Sequence, residues 1–211
     1  MRIAIEGGEG TGKSTLISKL KSWFPEAVFA REGGLVGHNK SEVYSLPLRE
    51  QAVIYAQERA ELNHEVYIPY TELGSDIITD RSVVSNIVYQ GNGTDEEMNR
   101  IVGLNILYDN GIVGLNILYD NDFNLPDHVV ILDSDPVFNR NRMLDNNREL
   151  DERDKADLHY HCAIRDKYLR FAETNICPTT IIHNIHSLSD EEVKSIFENI
   201  MLEDSKRPGI S

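Results

Sequence analysis

Residues 7–15, Gly-Gly-Glu-Gly-Thr-Gly-Lys-Ser-Thr, constrain this chain more than any other stretch. They fit G-x-x-x-x-G-K-[ST] without a gap, and their flanks have the form that this pattern requires. Before them, Arg2–Glu6 is a short apolar run suited to a buried strand. After them, Leu16, Leu20 and Trp23 recur at helical spacing. The chemistry follows from the residue types. Glycines let the backbone curl until successive N–H groups point inward as an anion nest, and a helix starting near Lys13 adds its positive dipole end. The Lys13 ammonium reaches β- and γ-phosphates, and the Ser14 hydroxyl can ligate Mg²⁺. Gly10, Thr11, Gly12, Lys13, Ser14 and Thr15 are therefore the expected cradle of a nucleoside triphosphate.

Further strand-like runs stand at 27–30, 76–79, 128–132 and 179–183, with longer helix-like stretches between them, among them 47–67. Strands alternating with helices predict an α/β fold, a parallel sheet covered on both faces. Turn signals at Phe24-Pro25, Gly33-Gly34, Gly91-Asn92-Gly93, Leu125-Pro126-Asp127 and Cys177-Pro178 punctuate the runs where such a sheet needs them. The expected organisation is a single domain over 1–203 with a polar tail at 204–211.

Charge narrows the partners. The chain has 211 residues, with 21 Lys and Arg against 35 Asp and Glu, a net charge of −14. That balance argues against nucleic-acid or anionic-membrane surfaces, which need a positive face, but not against a small anion held by a few arginines in a cleft. Two cysteines, Cys162 and Cys177, are too few for a disulfide framework or a zinc cluster. With a strand starting at residue 2 and no apolar run of membrane-spanning length, the expectation is a cytoplasmic protein without a signal peptide.

A phosphate loop does not by itself separate kinases from switches or mechanical ATPases. The nearest match to a guanine-reading Asn-Lys-x-Asp element is Asn39-Lys40-Ser41-Glu42, early and lacking the aspartate. Asp76–Ser82 is more informative. Its apolar residues rise to Asp80 at the carboxyl edge of a strand, where ligands bind in open α/β sheets. Asp80 can hold Mg²⁺ or its water shell, and Arg81 offers a planar fork to a second phosphate. The alternative is an Asp–Arg surface pair.

Taken in order, Glu-Gly-x-Glu-Gly-x-Gly-Lys-Ser-Thr at 6–15, Tyr-Ala-x-x-Arg at 55–59, Asp-Arg-x-x-x-Ser-x-x-x-Tyr-Gln at 80–90, Pro126-Asp127 and Leu132-Asp133-Ser134-Asp135-Pro136 resemble the thymidylate kinase family. The resemblance spans most of 1–200. It implies a P-loop kinase with a five-stranded parallel sheet, an arginine-rich lid and ATP and Mg²⁺ as cofactors. The implied reaction is transfer of the ATP γ-phosphate to dTMP, usually in a homodimer. Runner-up readings are a broader deoxynucleoside monophosphate kinase, a deoxynucleoside kinase, or a non-catalytic nucleotide-binding protein.

Carried over residue by residue, the resemblance places Tyr55 against the thymine ring, Arg59 at its O4 and Asn86 at its N3 edge. Tyr89 would wall off the 2′ position, and Gln90 closes the same motif. Arg31 and Arg81 would meet the dTMP phosphate, Arg31 in Ala30-Arg31-Glu32-Gly33-Gly34 where the family has Thr-Arg-Glu-Pro-Gly-Gly. Glu9 would lie beside the donor phosphates and the sugar 3′-OH, and Glu9, Lys13 and Arg81 would serve catalysis with a lid arginine. Each residue alone could equally be scaffold: a core tyrosine, a snorkelling arginine.

The stretch 140–157 is densely charged, which fits either a solvated helical face or a lid carrying arginines over the phosphates. Gly10 stands where some family members have an arginine. The resemblance then moves the catalytic arginine to the lid, to Arg153 in Asp151-Glu152-Arg153-Asp154, with Arg148 as its rival. Finally, Ile-Val-Gly-Leu-Asn-Ile-Leu-Tyr-Asp-Asn occurs at 101–110 and again at 112–121. This tandem duplication at 101–121 is too short for a solenoid. Asn110-Gly111 reads as a helix stop between the copies, one of which looks surplus.

Overall fold

The structure is a computed structural model and describes residues 1–34, 39–109, 125–145 and 150–204. The second copy of the decapeptide, the Asn110-Gly111 break, Arg148 and the end of the tail lie outside the described residues.

Five strands, β1 (Arg2–Glu6), β2 (Val28–Arg31), β3 (Ile77–Asp80), β4 (His128–Asp133) and β5 (Thr179–His183), form one sheet in the order β2-β3-β1-β4-β5. Every pairing is parallel. β1 and β4 are buried along their whole length, as strands covered on both faces should be. The period-two alternation divides their side chains between two cores. Ile3, Ile5, Val130 and Leu132 pack with Leu16 and Leu20 of α1 (Lys13–Trp23) and Val193, Phe197 and Ile200 of α9 (Asp190–Asp204). Ala4, Val129 and Ile131 face the other way. They meet Val84 and Val88 of α5 (Val83–Gln90), Met98 and Ile101 of α6 (Asp95–Asp109), and Ile164, Tyr168 and Phe171 of α8 (Leu158–Glu173). The first copy of the decapeptide thus continues α6 from Ile101 to Asp109.

Strands β2 and β3 sit one residue later than the apolar runs suggest, which makes Asp80 the last residue of β3, beside Ile5 of β1. After a short helix α2 (Lys40–Ser45), the expected 47–67 helix is α3 (Leu48–Leu62), one wide π turn (Asn63–Tyr67) and α4 (Ile68–Glu72). Pro69 has no N–H and would clash with the carbonyl four residues back in a regular helix. The wider turn immediately before it, where Ile68 N–H bonds to Asn63 O, lets the chain continue helical through the proline. Helix α7 (Pro136–Asp145) follows β4 and lies against the phosphate loop.

Candidate active site

The loop between β1 and α1 bends through left-handed backbone at Gly7, Gly10 and Gly12. At two of these positions glycine is also needed for close approach. A Cβ on Gly7 would stand 2.6 Å from the Leu132 carbonyl oxygen, and one on Gly10 2.9 Å from that of Asn139 in α7. Lys13 folds back over the loop and donates to the carbonyls of Gly7 and Gly8, both at 2.7 Å. Burial lowers its pKa to about 8. Arg142 of α7 donates to the Gly10 carbonyl and meets His186, so α7 and the segment after β5 flank the same loop.

At the adjoining strand ends, Arg81 has φ +76°, a left-handed conformation that a non-glycine residue adopts only when its surroundings enforce it. Its N–H bonds to Ile5 O at 3.1 Å, its Nη1 to the Ser85 hydroxyl at 3.0 Å, and its guanidinium lies 5.1 Å from the Tyr89 ring centre. Behind it, the fully buried Glu6 collects four hydrogen bonds: the Ser82 hydroxyl (2.7 Å), the Ser85 N–H (3.2 Å), the Ser85 hydroxyl (2.7 Å) and Tyr168 OH (2.9 Å). Burial raises the Glu6 pKa, opposed by the Ser85 hydrogen bond and the Arg81 charge. Sequence reasoning left Glu6 out; its signal was a carboxylate closing an otherwise apolar strand.

The residues assigned to an acceptor base lie on α3 and α5. Arg59 Nε is 2.6 Å from Glu32 Oε2, and Tyr67 OH donates to Glu32 Oε1 at 2.9 Å, with all three side chains buried. Asn86 Nδ2 is committed to Ala52 O at 3.2 Å, which turns the amide oxygen to other donors. Gln90, in the amide orientation that satisfies both its ends, donates to Asn86 Oδ1 and accepts from Arg153 Nη2, each at 3.2 Å. Tyr89 OH donates to Glu9 Oε1 at 2.7 Å. Arg31 is largely exposed, with its Nε 3.6 Å from Asp80 Oδ2. Asp80 Oδ1 is buried and accepts no hydrogen bond among the described residues. Gly33 takes φ +77°, which a proline could not adopt, so this loop departs from the proline-bearing pattern.

Over this surface lies the segment 150–157. Arg153 is inserted between two aromatic rings, 4.3 Å from the centre of Tyr44 in α2 and 4.5 Å from that of Tyr89. Lys40 holds Asp151 at 2.6 Å, while Asp151 Oδ1 accepts from the N–H groups of Arg153 and Asp154. Residues 140–145 of the charged stretch end α7, where Met143 is buried against the loop.

These parts enclose one cleft of about 450 Å³. Every residue assigned from the sequence to the phosphates, the acceptor, the metal or the catalytic charges borders it, Arg153 included. Glu32, Lys40, Tyr44, Arg142, Asp151 and Asp154 join them without having been assigned. A second groove, of about 250 Å³, leads outward from Gly12 past Thr15, Arg142, Ile185 and His186.

A parallel sheet of this order, a phosphate loop after its central strand and an arginine carried over a cleft at the strand ends define a P-loop phosphotransferase acting on nucleotides. The chain belongs to the thymidylate kinase family, which matches residues 5–194, and is thus a nucleoside monophosphate kinase. A thymidylate kinase from Staphylococcus epidermidis is 27% identical over 208 residues, covering 94% of this chain and 96% of that protein. One from Francisella tularensis subsp. novicida is 32% identical over 154 residues, 66% of this chain and 68% of its own length. The crystal structure of thymidylate kinase from Ehrlichia chaffeensis shares the fold, with a TM-score of 0.64 at 20% identity over 94% of this chain and 98% of that one.

Proposed function

We propose that the protein transfers the terminal phosphoryl group of ATP to dTMP, giving dTDP and ADP. The observation that carries this reading is one cleft lined together by the phosphate loop, by Tyr55, Arg59, Asn86 and Tyr89, and by Arg153. The triphosphate would lie on the N–H groups of residues 10–15, and its phosphate oxygens would replace the loop carbonyls as partners of Lys13. The groove past Gly12 offers room for the donor base, with the Arg142 guanidinium and Leu188 on its walls.

At the acceptor end, Tyr55 supplies a ring face and Arg59 a donor already aimed by Glu32. The Asn86 amide oxygen can accept from the N3–H of a pyrimidine. Tyr89, pinned to Glu9, would wall off the position of a ribose 2′-OH. An oxygen of the acceptor phosphate attacks the γ-phosphorus as the bond to the β–γ bridging oxygen breaks and ADP leaves. No general base is required, because the attacking group is already an anion. The protein's task is alignment and charge neutralisation. Lys13, Arg81 and Arg153 supply that charge, and the segment 150–157 excludes water.

A divalent cation fits the same place. Asp80 Oδ1, buried and without a hydrogen-bond donor among the described residues, and the Ser14 hydroxyl would hold Mg²⁺, which supplies charge neutralisation between the phosphates when bound. A homodimer and a cytoplasmic location belong to this reading through family resemblance. No helix among the described residues is long and apolar enough to cross a membrane. The test is ADP release with dTMP, dUMP, dCMP, dGMP and thymidine as acceptors. Preference for dTMP is expected, and turnover of thymidine without turnover of dTMP would overturn the reading.

A further inference from the structure

Glu9 is held at only one of its two oxygens. Oε1 accepts from Tyr89 OH at 2.7 Å, whereas Oε2 is buried and receives no hydrogen bond from another protein atom among the described residues. Nδ1 of His161 lies 3.9 Å from Oε2, too far for a direct bond. His161 lies on the first turn of α8, directly after the segment that carries Arg153. Its ring is 5% exposed, Glu9 is 7% exposed, and His161 Nε2 is also buried without a hydrogen-bond partner among the described residues. Two buried polar atoms without partners on neighbouring side chains are uncommon, since buried polar groups are nearly always paired.

Both residues line one small cavity that also borders Gly8, Thr11, Ser134 and Asn139. Its volume is about 20 Å³, which suffices for a single water molecule, whose minimum need is about 10–15 Å³. Its wall is half polar and half apolar, and Thr11, Ser134 and Asn139 stand there alongside Glu9 and His161, so a water there can find the two to four partners that make burial favourable. A water also suits either tautomer of the ring: it donates to the Glu9 carboxylate and either accepts from the imidazole N–H or donates to the bare nitrogen.

We propose that His161 and one ordered water in this cavity form the second support of Glu9, making His161 a positioning residue for phosphoryl transfer. With Tyr89 on Oε1 and the water on Oε2, the carboxylate cannot rotate, and its placement beside the donor phosphates is set jointly by α5 and α8. Because α8 follows directly on the segment bearing Arg153, the support of Glu9 and the placement of the lid arginine are linked along the chain. This inference rests on the phosphoryl-transfer reading above.

Three measurements test it. A crystal structure of the unaltered protein at better than about 2 Å resolution should show one water bonded to Glu9 and His161. A dry cavity, or a direct Glu9–His161 bond, would overturn the proposal. His161→Phe keeps the ring volume and removes both nitrogens. Its kcat should fall by about 10-fold or more, since a misplacement of about 1 Å can cost up to about 10²-fold, with KM for ATP and dTMP within about twofold. His161→Gln, which restores a hydrogen-bonding end, should recover most of that loss. Native kcat in the Phe variant, or equal losses in both variants, would overturn the positioning role. If the Phe variant does not fold, the water density and the Gln variant decide. Absence of turnover in the unaltered protein would instead defeat the phosphoryl-transfer reading and leave the water to be judged on its density.

Discussion

Replacing Glu32 with glutamine should damage both stability and acceptor binding, and the structure sets the size of each effect. Glu32 and Arg59 are paired at 2.6 Å and are both less than a tenth exposed. Charges about 4 Å apart at an effective dielectric near 20 attract by about 4 kcal/mol. Deleting one member of a buried pair costs about 3–5 kcal/mol, because the other charge is left without its counterion. Glutamine keeps a single carbonyl oxygen, which can accept from Arg59 or from Tyr67 but not replace both carboxylate oxygens, a bond worth about 1 kcal/mol. The net loss is then about 2–4 kcal/mol. A chain of this size loses about 2–4 °C of Tm per kcal/mol, so Tm should fall by about 4–16 °C. Arg59, no longer aimed, should also raise the KM for dTMP about tenfold while the KM for ATP stays near native. Thermal melts followed by steady-state kinetics measure both. The double variant Glu32→Leu/Arg59→Met removes both charges and should lose no more stability than Glu32→Gln alone, yet keep the high dTMP KM. A Glu32→Gln protein with native Tm and native KM would refute the reasoning. A lowered Tm with unchanged KM would confine the pair to the scaffold.

Lys13→Ala should lower kcat by about 10²-fold or more, the scale seen when a preorganised electrostatic group is removed, and turnover near native would remove the phosphate loop from the mechanism. Arg153→Ala should depress kcat far more than it weakens either substrate. Tyr44→Leu should act in the same direction but more weakly, by about 5-fold, since one cation–π contact contributes about 1 kcal/mol; a Tyr44 effect confined to KM would break that link. Asp133 gives a pH signature. The Arg165 hydrogen bonds hold its carboxyl below the usual range, with burial opposing and His183 assisting. A depressed carboxylate stabilises the fold above its unfolded pKa, and that contribution disappears as pH falls through the folded value. Arg165→Met should therefore melt lower than the unaltered protein at pH 7, and the gap should close as pH falls below about 4. A gap independent of pH in melting curves from pH 7 to 3 would show that Arg165 acts through packing alone.

The phosphate loop was legible because its requirements are local: closely spaced glycines must turn left-handed, expose N–H groups and start a helix, and all three demands are written within residues 7–15. Asp80 and Arg81 were legible for a related reason, since an apolar run that ends in charge marks the edge of a parallel sheet. The acceptor set Tyr55, Arg59, Asn86 and Tyr89 followed from helical spacing combined with resemblance to a family. What side-chain periodicity encodes is the face of an element; it says nothing about the partner that the face will meet. Glu32 reaches Arg59 across 27 positions and Tyr67 across 35, and Glu6 reaches Tyr168 across 162. Arg153 lies between Tyr44 and Tyr89, and His161 lies beside Glu9, only because α2, α5 and α8 converge on one end of the sheet. A buried charge must be matched by whatever the packed chain brings within a few ångströms, so the residues that support the cleft's side chains were settled by the tertiary fold, and those that form the glycine loop by the order of the residues themselves.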